Sequence, residues 1–356
     1  MRNTMTYEFK TEKAKTSRLP QVDLKNIVFG RVFTDHMLVA DFADGEWQEA
    51  QIMPFQNLSL SPATTALHYG QEIFEGMKAY KSKNGSINLF RPYENYKRMN
   101  HSAMRMAMPE IPEEIFVEGI RRIVDMDRDW LLAEPGCALY IRPFMFATDE
   151  YVGIKVAENY KFIAFISPVN AYYSEPIKVK VEEFYVRASL GGTGEAKCAG
   201  NYGASLYAVT QARKEGYTQM LWTDGIEHKY IEESGTMNVF FVIGDKIITP
   251  SLDGNILHGI TRDSILTLLR ENEFKVEERK ITVEEVVEAY RNGELKEAFG
   301  AGTAATIAMI STIGYRNEDL ALPPVEQFHT ANWLLETLDK IKYAEIEDKH
   351  NWLVKV

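Results

Sequence analysis

Hydrophobic and polar positions along the 356-residue chain follow two rhythms, and the changes between them predict the elements. β-Branched and aromatic runs at 27–40 and 48–54 flank Ala43-Asp44-Gly45-Glu46, and runs at 76–83 and 87–90 flank Asn84-Gly85, so each pair predicts a hairpin. Further apolar runs at 137–148, 160–167, 178–186, 219–223, 230–231, 297–300 and 306–313 predict strands, as does 239–248, broken at Gly244-Asp245. The 3.6-residue rhythm takes over elsewhere. It predicts a short helix from Pro62 toward Leu67, one after Pro92 through Met99, Ala103 and Met106, and one over 113–131. Further on it predicts a helix over 204–215, buried through Leu206, Val209 and Ala212 and closed by Gly216. The last three cover 260–271, 282–291 with Thr282 and Glu285 as a capping box, and 325–343. Strand and helix alternate without regular βαβ units, which predicts an α+β protein of two domains with a cleft between them. The turn-rich PVNAYYSEP at 168–176 places the boundary, giving domains over 1–170 and 181–356 with a linker over 171–180.

Composition narrows the function classes. A net charge of −11 provides no basic face for nucleic acid. Two cysteines are too few for a disulfide framework, and the seven histidines show no metal-ligand spacing, so a metal-free protein of a reducing, cytoplasmic compartment is expected. The start of the chain lacks an apolar core of the secretory type, and no apolar run approaches the roughly 20 residues of a bilayer span.

Against that background one stretch carries chemistry: GGTGEAKCAGNYG at 191–203, in which five glycines surround Lys197. An amine on a bendable backbone suits Schiff-base chemistry, although a solvated lysine in a loop accounts for the same letters. Glu232-Glu233 precede a Ser-Gly turn, either aimed into a cleft or solvated at a strand end. The helix start at Ile260-Thr261, after LHG, offers main-chain N–H groups to an anion, as any helix start does. Gly300-Ala301-Gly302-Thr303-Ala304-Ala305 reads as a tight turn open to a ligand and matches no nucleotide fingerprint. Arg142, two residues after Tyr140 in an apolar strand, suits a carboxylate or phosphate; Arg98, near Lys97 and Arg91, suits a phosphate or a surface face. His68, His258 and Cys198 read as structural.

Taken in order, FTDHM at 33–37, PFQNLSLSPATTALHYGQEIFEGMKAY at 54–80, FRPYENYKRM at 90–99, LYIRP at 139–143, the glycine-lysine stretch, EESGTMN, LHGITR and FGAGTA resemble the fold-type IV pyridoxal-phosphate enzymes, specifically the branched-chain amino acid aminotransferases. The resemblance implies a D-amino-acid-aminotransferase-like fold, with a smaller α/β N-terminal domain, a larger pseudo-barrel C-terminal domain and the cofactor in the cleft. It implies pyridoxal 5'-phosphate bound through Lys197, with Glu233 at the ring nitrogen and Tyr202 at the ring oxygen. Arg98, Ile260, Thr261 and Thr303 fall to the phosphate, and Thr236 also joins the cofactor set. Phe29, Tyr69 and Phe74 would wall the substrate side chain, and Tyr140, Arg142, Thr303 and Ala304 would meet its carboxylate. The implied reaction exchanges an amino group between L-leucine, L-isoleucine or L-valine and 2-oxoglutarate in a homodimer or larger homo-oligomer. D-amino-acid aminotransferase and aminodeoxychorismate lyase, of the same fold, are the alternatives. The cysteine pair found after the glycine turn in some relatives is replaced here by Ala305 and Ala308, which excludes thiol regulation by that route.

Overall fold

The computed structural model describes residues 8–170 and 175–356; positions 171–174 of the expected linker lie outside the described residues. Contacts divide these residues into two compact units. The first gathers residues 8–170 with Ala196–Gly200 and Lys340–Val356, and the second holds 175–195 and Asn201–Asp339. Lys197, expected with the C-terminal domain, thus packs with the first unit.

In the first unit a sheet runs in the order Phe9–Thr11, Ala50–Pro54, His36–Ala43, Tyr160–Val169, Ala138–Ala147, Met77–Lys81, Ile87–Phe90, Leu353–Lys355. The short Glu72–Phe74 pairs along Ala138–Ala147. Met99 and Ala103 of the helix Pro92–Arg105 and Phe116 and Ile120 of the helical run 114–126 press on this sheet, burying Leu38, Ile141 and Phe162 in one core. Apolar burial of this kind is the main stabilising term. The strand expected over 27–40 begins only at His36, because Gly30 adopts φ 71° in a turn and Asp35 is tied down by Ser17 Oγ, the Arg18 N–H and Trp130 Nε1.

The second unit is built on a sheet that closes on itself. Ile231–Ser234, Gln219–Thr223, Ile177–Val181, Thr306–Tyr315, Leu295–Gly302 and Met237–Ile243 follow one another, and the last pairs back to the first. Closure removes the free edges of these six strands. Phe240 and Phe299, opposite each other in register, stack at 5.2 Å inside it. The strand expected over 178–186 stops at Val181, where Glu182 Oε1 accepts the N–H groups of Phe184 and Tyr185 and turns the chain.

Two helices differ instructively from expectation. The one expected over 204–215 spans Ala199–Lys214, and Leu206 is exposed while Ala208 and Ala212 are buried. Of the three residues expected to be buried, Ala212 lies in the core and Val209 packs against it, while Leu206 turns outward and the small Ala208 takes the packing face. Thr282 does cap Val283–Arg291, its Oγ1 accepting the Glu285 N–H at 3.0 Å, but the Glu285 carboxylate turns to Arg279 instead of completing the box.

Only some glycines of 191–203 are required by the backbone. Gly191 sits at φ 79°, and a Cβ on Gly194 would fall 2.2 Å from the Asn255 carbonyl oxygen, whereas Gly203 faces open space within its helix. Gly194→Ala is expected to destabilise the protein by about 1–3 kcal/mol, because a main-chain atom must move. Gly203→Ala is expected to stabilise it by about 0.5–1 kcal/mol through helix propensity. Urea denaturation of the two variants reads both signs.

Candidate active site

Lys197 is placed by its main chain. Its N–H donates to Ser102 Oγ at 2.9 Å, its carbonyl accepts the Phe74 N–H at 3.0 Å, and Cys198 continues the contact as a bridge to Ile73. These anchors on successive residues fix the position from which the side chain departs. Nζ lies 4.7 Å from the centre of the Phe74 ring. Cys198 is buried in the apolar core and serves as filler.

Next to Phe74, Glu75 is fully buried. It accepts from Arg98 Nε at 2.7 Å and Nη2 at 2.9 Å, from Asn95 Nδ2 at 2.7 Å and from the Gly76 N–H at 3.1 Å. Burial by itself would raise the Glu75 carboxyl; the Arg98 guanidinium, followed by the Lys197 amine and the Asn95 amide, reverses this and holds it below the usual carboxylate range. Arg98 is therefore half of a buried bidentate pair, and Glu75 sets the plane of its guanidinium.

Tyr140 and Arg142 stand two apart on Ala138–Ala147 and so share a face. Arg142 Nη2 donates to Tyr140 Oη at 2.9 Å, and Phe29 packs edge-on to Tyr140 with ring centres 5.1 Å apart. The Arg142 guanidinium lies 4.7 Å from the Phe74 centre, so the same ring is flanked by Arg142 and by Lys197. Arg142 Nε is buried without a hydrogen-bond partner among the described residues. Gly76 makes room for Tyr140, since a Cβ there would fall 2.3 Å from its hydroxyl oxygen. Tyr69 stands apart from this group, exposed at the end of the short helix Thr65–Tyr69 with its ring against His68.

In the second unit, Glu232 and Glu233 are both buried, which rules out a solvated strand end. Successive residues of a strand face opposite sides, and the two carboxylates take different partners. Glu233 Oε1 accepts from the Leu257 N–H at 3.0 Å and Asn238 Nδ2 at 3.3 Å, while Oε2 faces Arg187 Nε at 3.2 Å. Glu232 Oε1 accepts from Asn255 Nδ2 at 2.8 Å, and burial pushes its carboxyl up to about 6.

Register gathers the rest of this set. Glu233 pairs with Asn238 and Asn238 with Ala301, so the hairpin tip at Thr236 and the turn carrying Thr303 and Ala304 extend from one end of the barrel. Asn238 also donates to the Leu257 carbonyl at 3.0 Å, tying the row to the approach of the helix Ile260–Glu271. That helix starts at Gly259, which provides no side-chain cap; a Cβ there would lie within 2 Å of Asn238 Oδ1. Ile260 and Thr261 thus open a helix whose N-cap residue supplies no side chain, and the dipole of a helix start favours an anion. Tyr202 is half-buried in the first turn of Ala199–Lys214, where Thr193 Oγ1 bonds Asn201 Oδ1 at 2.7 Å.

Glu75, Arg187 and Asn238 were not singled out from the sequence. Glu75 and Arg187 are charges beside apolar residues, the signal that did draw attention to Arg142, but their partners lie 23 and 46 positions away.

A closed-barrel unit with an anchored carboxylate and a glycine-led helix start, joined in one chain to a main-chain-fixed lysine, defines a fold-type IV enzyme architecture. The chain belongs to the class IV amino-transferases, whose family model matches residues 72–313. It is 45% identical over 357 residues to a probable branched-chain-amino-acid aminotransferase of Staphylococcus epidermidis, with 99% of each chain covered. It is likewise 45% identical over 345 residues to branched-chain-amino-acid aminotransferase 2 of Bacillus subtilis, covering 96% of this chain and 95% of that one. Among solved structures, the branched-chain amino acid aminotransferase of Escherichia coli superposes with a TM-score of 0.72 at 27% identity, over 90% of this chain and 98% of the other.

Proposed function

We propose that this chain transfers the amino group of L-leucine, L-isoleucine or L-valine to 2-oxoglutarate, with pyridoxal 5'-phosphate as cofactor. When bound, the cofactor supplies an aldehyde that condenses with amines and a ring that accepts the electron pair left at the substrate Cα. The residues fit that group. Lys197 offers an amine on a fixed backbone, Glu233 a carboxylate already held by Arg187, Asn238 and Leu257, and Ile260 and Thr261 a helix start whose dipole suits a phosphate.

In this reading Lys197 would hold the cofactor aldehyde, and its Nζ would carry the proton taken from the substrate Cα. Glu233 would keep a proton on the ring nitrogen, and the Asn238 and Leu257 donors together with the Arg187 charge keep the carboxylate from turning away. Arg98, with Thr303 and the helix start, binds the phosphate, and Tyr202 the ring oxygen.

The observation that carries the proposal is the Phe74 ring with an amine on one contact and the Arg142 guanidinium on the other. That arrangement suits a small amino acid: reaction at the amine, a carboxylate at Arg142, and an apolar body against Phe29, Phe74 and Tyr140. Such a wall discriminates by only about 1–3 kcal/mol per methylene, so all three branched amino acids are accepted. Arg142→Gln is expected to weaken the KM for 2-oxoglutarate about 10–100-fold, the worth of a hydrogen bond to a charged group. A steady-state comparison of L-leucine, D-alanine and aminodeoxychorismate tests the reading. Turnover of L-leucine supports it, and preferential use of either of the others overturns it. We further propose a cytoplasmic homodimer, in keeping with the acidic, cysteine-poor composition; light scattering on the purified protein checks the assembly.

A further inference from the structure

The opposite face of the Glu233 strand carries a second cavity. It has a volume of about 300 Å³ and is lined wholly by residues of the second unit. Glu232 and Asn255 line it, each more than nine-tenths buried, and each has one oxygen, Oε2 and Oδ1, without a partner among the described residues. A buried polar oxygen left unpaired is destabilising, so two in one cavity call for a donor.

Asp224, Asp253 and Lys280, which also line it, are already engaged. Both oxygens of Asp224 accept main-chain N–H groups from the turn 226–230, and Asp253 Oδ1 accepts the Asn255 N–H. Lys280 rests over the Tyr230 ring. With Glu227, the lining carries four acids against one lysine, so the local field favours a cation. The remaining walls are apolar, through Ile256 and the exposed Leu190 and Ile226 at the rim. No group of three or more metal-ligating side chains occurs among the described residues, and the cavity is far larger than an ion.

We propose that this cavity is a binding site for a small organic ammonium compound. Its N–H groups donate to Glu232 Oε2 and Asn255 Oδ1, and its hydrocarbon body lies against Ile256, Leu190 and Ile226. A volume of this size suits a compact ligand. The inference stands independently of the proposed transamination.

Burial raises the Glu232 carboxyl to about 6, against the lowering by Asn255 and Arg187 and with smaller raising from Asp253 and Glu233. Binding therefore strengthens as pH rises through that value and Glu232 becomes charged.

The test is calorimetric titration of the holoenzyme with piperidinium chloride, which has two N–H donors and no carboxylate. Saturable binding is expected, without displacement by L-leucine, weaker at pH 5 than at pH 7.5. Glu232→Gln is expected to weaken it at least tenfold. Ile226→Arg, a change on the exposed rim that leaves the core untouched, is expected to weaken it similarly by adding a positive charge at the mouth. Lys197→Ala is expected to bind as the native protein does. Absence of saturable heat, equal binding by both cavity variants, or loss of binding in Lys197→Ala would each overturn the assignment.

Discussion

Lys197→Ala is expected to lower the transamination rate by about 10⁴-fold, the upper range for removing a positioned acid–base group, while leaving the fold intact. The backbone explains the second half of that result. Position 197 is held by its N–H to Ser102 and its carbonyl to Phe74, and neither bond uses the side chain. Removing the amine therefore takes away the chemistry while both main-chain anchors stay in place. Rate assays with L-leucine, run beside circular dichroism and thermal melting, separate the two. A variant that retains appreciable turnover would refute the assigned role, and one that no longer folds would refute the main-chain account of the site.

Glu75→Gln is expected to act the other way, mainly on stability, with a loss of about 3–5 kcal/mol at neutral pH. The substitution keeps the shape but leaves the Arg98 guanidinium buried against a neutral amide, and Arg98 is itself nearly inaccessible to water. The pH dependence has a definite sign. The Glu75 carboxyl is held below its ordinary value in the folded protein, so the stability it contributes is complete above the unfolded value of about 4.3 and is lost as pH falls through the lower, folded value. The gap between native protein and variant should thus be widest at pH 6–7 and narrow on acidification. Urea denaturation over that range measures it; a gap that widens toward acid would contradict the ion pair.

These two residues mark a difference in what could be read. Lys197 was legible because five glycines around a lysine form a local pattern, and Glu233 because two carboxylates precede a Ser-Gly turn. Ile260 and Thr261 were legible as a helix start following a glycine, and the helix they open runs Ile260–Glu271, as the apolar spacing predicts. Glu75 is a charge beside apolar residues, as Arg142 is, but nothing local points to its partner. Its importance arises from Arg98, brought to it by the packing of the helix Pro92–Arg105 on the sheet. Arg187 is the same case for Glu233, and Leu206 the converse, an apolar residue whose helix turned its small side to the core.

What the sequence by itself determined was the α+β class, most of the strands and helices, and the residue types able to hold a phosphorylated carbonyl cofactor. The class and the elements follow from short-range periodicity and capping, which act over a few residues, and the cofactor residues from the resemblance of several motifs, taken in order, to a known family. Only the tertiary structure decided which charges neutralise which, that Glu232 and Glu233 are both buried, and that the Phe74 ring is shared by Lys197 and Arg142. Those outcomes depend on barrel closure and strand register, contacts between residues distant in sequence, for which a run of letters carries no local signal.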